Sequence, residues 1–369
     1  MPAEIAQEVV ALITGADLRR GAPGGTRTYV LGLAGFLRGR GLRVTIIANG
    51  RADCVPDGCR IESVTREHVP STIHFQRALR RWTSTKALDG IAVLHFQRPD
   101  DLAAMNSPWA IPPAVCTLHG DAATSILRRH GRLAAVTYIR REAAILPGFR
   151  MLIPVDERTA SVYRERYPDL ANRIQVIPIG IQEPSGNNAE RSMQTAPEDH
   201  ILTFLYVGRL SVEKRVDRII SAFAMVNSPR KRLVIAGTGP EEAHLRRLAG
   251  SQDVLFLGNV EHETLSSWFQ QADALVLASE FEGLPTAALE SLAAGCPVAA
   301  LHGCGLDGIL DGGRGVMAAS PDELPHAMVE ATRIKRSGQR VDLPPEFTWS
   351  AVGPRILSMY ATMAPGLMQ

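Results

Sequence analysis

Short apolar runs alternate with helical stretches along the chain in two successive series, and a polar segment separates them. Apolar runs of roughly four to eight residues between turn signals predict buried strands, and strands that alternate with helices predict a parallel sheet. The strands predicted in the first series are Val9 to Thr14, Arg43 to Ala48, Ile91 to Phe96, Ala114 to Leu118, Arg150 to Pro154 and Ile174 to Ile177.

The second series repeats the pattern. Its predicted strands are Ile201 to Val207, Arg232 to Ala236, Val254 to Leu257, Ala274 to Ala278 and Pro297 to Leu301. Its predicted helices are Lys214 to Val226, Glu241 to Ala249, His262 to Gln271, Pro285 to Ala294 and Pro321 to Ile334. We therefore predict an α/β protein of two tandem Rossmann-like domains that face each other across a cleft.

The length of 369 residues suits two domains of ordinary size. We place the N-terminal domain at residues 1–182, a linker rich in turn formers at 183–199, and the C-terminal domain at 200–347. The last segment, 348–369, contains the amphipathic stretch Trp349 to Met363, which predicts a helix with one face packed on a domain.

Composition indicates a globular protein, with 45% apolar and 21% charged residues. No apolar stretch reaches the roughly 18 residues of a membrane span, and the first residues do not resemble a signal peptide, so we expect a cytoplasmic protein. The five cysteines include no Cys-x-x-Cys pair, and the chain has neither an Asp-x-Asp pair nor a histidine cluster. We therefore expect no disulfide framework, no metal site and no cofactor.

The two halves of the chain differ in charge. Residues 1–185 hold 24 Lys and Arg against 17 Asp and Glu, whereas residues 186–369 hold 16 against 21. The basic surplus could face an anionic acceptor or the inner face of a membrane, at its periphery, or it could consist of ordinary solvated helix faces. The residues concerned are Arg77, Arg80, Arg81 and Lys86 around Trp82, together with Arg128, Arg129, Arg132, Arg140 and Arg141.

Two carboxylates flank the loop that follows the predicted strand Ala274 to Ala278. Glu282 lies in this loop, and Glu290 lies in the helix whose first turn holds Pro285. Ligands of open α/β sheets bind outside the carboxyl ends of the strands, where a helix N-terminus attracts anions. Since carboxylates accept hydrogen bonds, the segment predicts a site for a phosphorylated, hydroxyl-rich ligand, with a solvated surface helix as the alternative.

Basic residues follow a second strand end at the same predicted sheet edge. Gly208 ends that strand, and Arg209 and Lys214 come next. Two cations beside a helix N-terminus would neutralise a diphosphate, the more so as it departs with added negative charge. The alternative is a surface ion pair between Lys214 and Glu213 or Asp217.

Two features of the first series also lie at strand ends. Gly24 and Gly25 follow the first strand, and glycine backbone can approach a phosphate closely, although a loop with no ligand would look the same. His119 follows the fourth strand, where it could bind a sugar hydroxyl or a phosphate oxygen, or serve only the structure. Asp121 could orient this imidazole or cap the next helix.

An ordered set of motifs runs through nearly the whole chain. It comprises Gly24-Gly25, His119, Val176 to Gly180, Gly208-Arg209-Leu210 with Lys214, Val234 to Pro240, Phe256 to Gly258, Glu282 with Glu290, Ala294 to Val298 and Phe347 to Trp349. In this order the set resembles the retaining glycosyltransferases of family 4. The resemblance implies a GT-B fold whose C-terminal domain binds a nucleotide sugar, whose N-terminal domain binds the acceptor, and whose last helix returns to the N-terminal domain.

The resemblance also implies roles for single residues. Arg209 and Lys214 would hold the diphosphate, Glu282 the hydroxyls of the donor sugar, and Glu290 the ribose. His119 would contact the sugar or a phosphate from the opposite wall. The remaining donor-binding residues implied are Gly24, Gly25, Gly208, Gly283, Leu284, Pro285 and Thr286.

Two positions depart from the family pattern. Ile179 follows Pro178 where the family usually has Asn, and Thr26-Arg27 stands where many relatives carry an acidic residue, so the acceptor's chemistry is expected to be unusual. Neither change touches the donor-site residues. The resemblance favours attack on the face that the diphosphate leaves, with the diphosphate receiving the acceptor's proton.

Other functions fit the same scaffold, because a fold does not determine the reaction. A nucleotide-sugar epimerase, hydrolase or phosphorylase and a non-catalytic nucleotide-sugar binder stay open. A nicotinamide dehydrogenase is disfavoured, since Gly237-Thr238-Gly239 lacks the third glycine of the dinucleotide fingerprint. The nucleotide base, the sugar and the acceptor are not readable; a saccharide, a lipid-linked saccharide and a small natural product all suit, and no nucleic-acid partner is expected.

Overall fold

The computed structural model describes residues 9–22, 24–85, 88, 90–105, 111–182, 200–280 and 282–368. The predicted linker, 183–199, and Lys86 of the predicted basic cluster lie outside these residues. The described chain divides into two compact units, the first of residues 9–20, 26–180 and 349–368, and the second of residues 21–25 and 181–348.

The first unit contains a parallel sheet of six strands in the order β3-β2-β1-β4-β5-β6. The strands are β1 (Val9–Thr14), β2 (Arg43–Ala48), β3 (Arg60–Ser63), β4 (Ile91–Phe96), β5 (Ala114–Leu118) and β6 (Met151–Pro154). The helices between them are α1 (Gly25–Gly39), α2 (Thr72–Thr85), α3 (Ala122–Ile145) and α4 (Glu157–Arg166). Helix α3 is interrupted at Gly131, which has a φ of 81°.

The second unit contains another parallel six-stranded sheet, in the order β12-β11-β10-β7-β8-β9. The strands are β7 (Leu202–Val207), β8 (Lys231–Ala236), β9 (Val254–Gly258), β10 (Ala274–Leu277), β11 (Val298–Leu301) and β12 (Gly315–Ala318). The helices are α5 (Val216–Met225), α6 (Glu242–Ala249), α7 (His262–Gln271), α8 (Thr286–Ala293) and α9 (Leu324–Arg336).

The strand order places one switch point in each sheet. Chain direction across the sheet reverses between β1 and β4 in the first unit and between β7 and β10 in the second. Loops on either side of a switch point diverge and leave a crevice at the carboxyl ends of the strands, where ligands of such sheets bind. The prediction of two Rossmann-like parallel sheets is thus confirmed.

The last helix, α10 (Trp349–Met363), belongs to the first unit. The Trp349 ring lies 5.7 Å from Tyr29 and 6.1 Å from Phe36, both on α1. A Cβ on Gly32 would lie 2.4 Å from the Trp349 ring nitrogen, so glycine is required for α1 and α10 to approach this closely. The return of the chain to its N-terminal domain, which the resemblance implied, is therefore present.

The observed elements differ from the predicted ones in several places. Residues 174–177 form no strand in the described chain, although the amides of Gln175 and Ile177 donate to the carbonyls of Leu152 and Pro154 in β6. Pro154 has no N–H group with which to return the next bond of a ladder. The edge strands β3 and β12 were missed. Helix α5 begins at Val216 and not at Lys214, because Arg215 has a left-handed φ of 50° and breaks the helical turn before it.

Candidate active site

A cation and a carboxylate meet at the carboxyl edge of the second sheet. Lys214 ends the short 3-10 turn Val212–Lys214 that follows β7, and Glu282 lies in the loop after β10. Their side chains form an ion pair, with Nζ of Lys214 2.8 Å from Oε2 of Glu282. Because β7 and β10 are the switch-point neighbours, this pair lies where a ligand of the sheet is expected.

Both oxygens of Glu282 are engaged. Oε2 pairs with Lys214, while Oε1 accepts a hydrogen bond from the Ser279 hydroxyl at 2.5 Å. Cys304 lies beside the same loop, where its thiol donates to the Ser279 carbonyl at 3.4 Å. Burial, with Glu282 acting in the same direction, raises the pKa of Cys304 to about 12, so this thiol stays neutral near pH 7.

The loop after β7 is shaped by contacts between backbones. Gly237, at the end of β8, has a φ of 139°, and a Cβ there would lie 1.9 Å from the carbonyl oxygen of Gly208. The buried Tyr206 hydroxyl donates to the Arg209 carbonyl at 3.0 Å. These contacts hold the Gly208–Arg209 peptide close to the sheet and leave the Arg209 side chain exposed.

The loops after β7 and β10 are also tied directly to each other. The backbone N–H of Glu280 donates to the Glu213 carbonyl at 3.1 Å, and the Glu280 carboxylate pairs with Arg215 at 2.5 Å and Arg218 at 3.2 Å. Asp217, one of the alternative partners considered for Lys214, pairs with Arg215 at 2.8 Å. The tie fixes the spacing of the two loops and leaves Lys214 opposite Glu282.

Helix α8 begins beside this ion pair. Leu284 and Pro285 are buried, Gly283 precedes them, and Pro285 at the N-cap offers no side-chain acceptor to the first amides of the helix. The partial positive charge of the helix N-terminus therefore faces the edge that Glu282 and Lys214 occupy. Glu290 lies one turn beyond Thr286 on the same helix face and is half-buried.

The residues predicted from the first series follow strands of the first sheet, although Gly24 and Gly25 are assigned to the second compact unit. Gly24 is exposed with a φ of 137°, and Gly25 begins α1. His119 follows β5 and is half-buried, and its Nε2 lies 3.0 Å from Oε1 of Gln97, the residue after β4. Desolvation lowers the pKa of His119 to about 4, so its imidazole is neutral near pH 7.

Asp121 caps the next helix. Its carboxylate accepts from the Ala123 amide at 3.1 Å at the start of α3 and receives two hydrogen bonds from Arg166, at 2.8 and 2.9 Å. These bonds hold the pKa of Asp121 below its usual range. Of the two roles considered, capping is the one that the contacts show.

A buried network behind His119 was missed by the sequence analysis. His95, near the end of β4, lies 2.5 Å from the Tyr360 hydroxyl through Nδ1 and 2.7 Å from Thr117 Oγ1 through Nε2. Thr117 Oγ1 is 3.0 Å from the Tyr29 hydroxyl. Burial lowers the pKa of His95 to about 3. A histidine inside an apolar run and a glutamine directly after it were the signals available in the sequence.

The structure thus brings together Lys214, Glu282 and the start of α8 in the second unit, and His119 with Gln97 in the first. Within the described ranges, no group of three or more His, Cys, Asp or Glu side chains could hold a metal ion. The same residues include no helix long and apolar enough to cross a membrane.

Comparison with protein families gives two adjacent matches. The model of Glycosyltransferase Family 4 matches residues 23–183, and that of Glycosyl transferases group 1 matches residues 202–333. Together they cover most of both units.

Curated relatives have names of the same kind. The chain is 28% identical over 284 residues to D-inositol 3-phosphate glycosyltransferase of Streptosporangium roseum, covering 69% of this chain and 64% of the relative. It is 27% identical over 379 residues to phosphatidyl-myo-inositol mannosyltransferase of Mycobacterium leprae, covering 93% and 94%. The chain spans about three-fifths of the length of the first curated relatives that it matches.

Solved structures show the same fold. Sucrose-phosphate synthase from Thermosynechococcus elongatus superimposes with a TM-score of 0.75 at 20% identity, over 96% of this chain and 98% of that one. Anabaena HepE, solved with UDP and glucose, gives a TM-score of 0.74 at 16% identity, over 96% and 100%. WaaG, a glycosyltransferase of lipopolysaccharide biosynthesis, gives 0.71 at 17% identity, over 96% and 99%.

Proposed function

The chain belongs to the family 4 glycosyltransferases of group 1, and on this premise we propose that it moves a sugar from a nucleotide-diphosphate sugar to a hydroxyl of an acceptor. The proposed transfer retains the configuration of the anomeric carbon and requires no metal ion. The second unit binds the donor, and the first unit binds the acceptor.

The contact between Lys214 and Glu282 carries this proposal. It sets a cation and a hydrogen-bond acceptor 2.8 Å apart beside the start of α8. A nucleotide sugar needs both chemistries at neighbouring points, because its diphosphate is anionic and its sugar carries hydroxyls. The negative charge of the departing diphosphate is stabilised by Lys214, Arg209 and the amides of Gly283 to Thr286. In other sites a metal ion provides this stabilisation.

The contacts of the Glu282 carboxylate support attack by the acceptor on the same face of the sugar that the diphosphate leaves. A retaining enzyme with a covalent intermediate needs a carboxylate free to attack the anomeric carbon. Both Glu282 oxygens are held by Lys214 and Ser279, which suits binding of sugar hydroxyls. The anomeric carbon then breaks its bond to the diphosphate and forms one to the acceptor oxygen on the same face, and the acceptor proton passes to the departing diphosphate.

The remaining residues have binding roles in this proposal. Glu290 holds the ribose, and Gly208, Leu284 and Pro285 shape the donor loop. Gly24 and Gly25 bring backbone amides to the distal phosphate. His119 contacts the sugar or a phosphate.

The acceptor is a lipid-linked saccharide presented at an anionic membrane surface. On α3 the side chains of Leu133 and Val136 are 83% and 46% exposed, and Arg132 and Arg140 are exposed beside them. Apolar side chains among arginines match a bilayer surface that offers acyl chains beneath anionic headgroups. The Mycobacterium leprae relative, by its name, acts on phosphatidyl-myo-inositol.

Incubation with UDP-, GDP-, ADP- and dTDP-sugars tests the transfer, with and without an acceptor mixture of phospholipid-linked and free saccharides. We expect nucleotide release that depends on acceptor, a product with the donor's anomeric configuration, and rates unchanged by EDTA. Release without acceptor would indicate a hydrolase, and binding without any release would indicate a non-catalytic binder.

Vesicle sedimentation tests the membrane surface. We expect binding to vesicles that contain phosphatidylglycerol and none to pure phosphatidylcholine, with binding weakened by added salt. Leu133→Asp should reduce binding, whereas Leu248→Asp, at a side chain 39% exposed in the second unit, should not. Equal binding of both variants would assign the contact to another surface.

A further inference from the structure

Gln97 is buried, and its side-chain amide oxygen contacts His119 at the carboxyl edge of the first sheet. It directly follows β4, at the switch point of the first sheet, and is 2% exposed. Its Oε1 lies 3.0 Å from Nε2 of His119, while its own Nε2 is buried with no partner among the described residues. Gln97 therefore directs its amide oxygen at His119.

The contact determines where the proton of His119 lies. A neutral imidazole carries one proton, on either Nδ1 or Nε2, and the nitrogen without it is an acceptor. The amide oxygen of Gln97 has no proton to give, so the Nε2 of His119 must donate. The proton is therefore on Nε2, and Nδ1 is left as an acceptor.

We propose that Gln97 is a positioning residue that fixes His119 as the Nε2–H tautomer, so that Nδ1 accepts a hydrogen bond from a hydroxyl of the substrate. This inference rests on the proposed function and deepens it. A sugar hydroxyl can donate to Nδ1, whereas an ionised diphosphate oxygen has no proton to donate. Of the two ligand groups considered for His119, the hydroxyl is therefore assigned.

The groups around His119 support a neutral ring. The Tyr29 ring of α1 lies edge-on to the imidazole, with ring centroids 5.2 Å apart. His95 of β4 is also neutral, since both of its ring nitrogens are engaged by Tyr360 and Thr117 and burial lowers its pKa to about 3. The nearest carboxylate along the chain, Asp121, is turned to the start of α3 and to Arg166.

Nitrogen NMR of the intact protein, with ¹⁵N-labelled histidines, reads this tautomer without any substrate. Long-range proton–nitrogen spectra are recorded at about pH 7, where the imidazole is neutral, and His119→Gln identifies the signals. We expect one His119 species, with a protonated Nε2 and an unprotonated Nδ1. A proton on Nδ1 would overturn the proposal.

Two variants of Gln97 separate positioning from packing. Gln97→Met has a similar volume but no acceptor, and it should admit a measurable fraction of the Nδ1–H form and lower turnover about threefold to tenfold. Gln97→Glu keeps the acceptor and should preserve the tautomer while raising the pKa of His119 by about one unit or more. Wild-type populations in Gln97→Met, or an unmoved pKa in Gln97→Glu, would contradict the role.

The outcomes distinguish this inference from the proposed function. A wild-type tautomer on Nε2 that responds to Gln97, in a protein that releases no nucleotide, would leave the positioning intact and remove the transferase assignment. Turnover with His119 protonated on Nδ1 would do the reverse.

Discussion

The two sheet edges that hold the candidate residues differ in charge. We call the edge with Lys214 and Glu282 the charged edge, and the edge with His95, Thr117 and His119 the neutral edge. In the second unit a charged pair, Lys214 and Glu282, is only partly shielded, with side chains 25% and 13% exposed. In the first unit His95 and Thr117 are fully buried and uncharged and form a chain of hydrogen bonds behind His119. The first arrangement suits an anionic ligand whose charge changes during the reaction. The second suits an uncharged ligand group that is recognised by its hydrogen bonds.

Under the proposed function, this difference matches what each site would stabilise. Charge on a departing diphosphate is met by fixed cations and amide dipoles, and these act more strongly where water is displaced by ligand. Hydroxyls carry no net charge, so their recognition depends on which neighbour donates and which accepts. The buried His95 and the half-buried His119 provide a fixed pattern of this kind, because their low pKa values keep both rings neutral near pH 7.

Removal of the Lys214 ammonium should have the largest effect. We expect Lys214→Ala to lower kcat at saturating donor by about 10²-fold or more, by analogy with the loss of one oxyanion donor. Arg218→Gln is the matched control, since Arg218 pairs with Glu280 in the neighbouring loop at 3.2 Å. Full turnover of Lys214→Ala would show that the charged edge does not stabilise the departing group.

The charged edge was accessible to sequence analysis, and most of the neutral edge was not. Lys214 and Glu282 follow apolar runs in a pattern that indicates a strand end. His95 was overlooked because its partners, Thr117 and Tyr360, are 22 and 265 residues away. Gln97 was overlooked because its partner, His119, is 22 residues away. Such contacts depend on tertiary packing, which periodicity does not report.

The strands and helices also fall into those that the sequence predicts and those that it does not. Long apolar runs such as β1 and β4 were predicted with their observed limits, since burial on both faces leaves a continuous apolar signal. The edge strands β3 and β12 have only four residues each, and their burial is partial, so no such signal exists. The break before α5 was missed because a left-handed arginine leaves no compositional trace.

The neutral edge should respond most to the loss of the Thr117 hydroxyl. Thr117→Val keeps the shape of the side chain but leaves His95 Nε2 and the Tyr29 hydroxyl without their shared partner. We expect the free energy of unfolding to fall by about 1–3 kcal/mol, measured by urea denaturation. Thr137→Val, at an exposed hydroxyl on α3, is the control and should change it by less than about 0.5 kcal/mol.

Buried titratable groups should give the first unit opposing pH dependences. The pKa of His95 falls to about 3 on folding, so its contribution to stability is present above pH 6.5 and is lost as pH falls. Burial, with Asp100 adding to it, raises the pKa of Asp101 to about 7, so its contribution is present below pH 3.8 and is lost as pH rises through 7. Each changes the free energy of unfolding by about 1.4 kcal/mol per pH unit in the shared window from roughly pH 4 to 6.5.

Two substitutions separate these contributions. With Asp101→Asn, the free energy of unfolding should rise more steeply with pH than in the wild type, and with His95→Gln it should rise less steeply. Urea denaturation at several pH values across the shared window measures both slopes. Parallel curves for the wild type and both variants would show that neither group changes its protonation on folding.

The salt dependence of the free energy of unfolding should also distinguish the two edges, and it is the smallest effect that we expect. Glu280→Gln removes the carboxylate that pairs with Arg215 and Arg218 and should lower the free energy of unfolding by at most about 1 kcal/mol, because partly exposed ion pairs contribute little. The loss should shrink as NaCl is raised from about 0.1 to 1 M, since the Debye length falls from roughly 10 to 3 Å. The loss caused by Thr117→Val should not change with salt, because no charge takes part. If both losses shrink together, the first unit also depends on unseen charge, and the contrast between the edges is wrong.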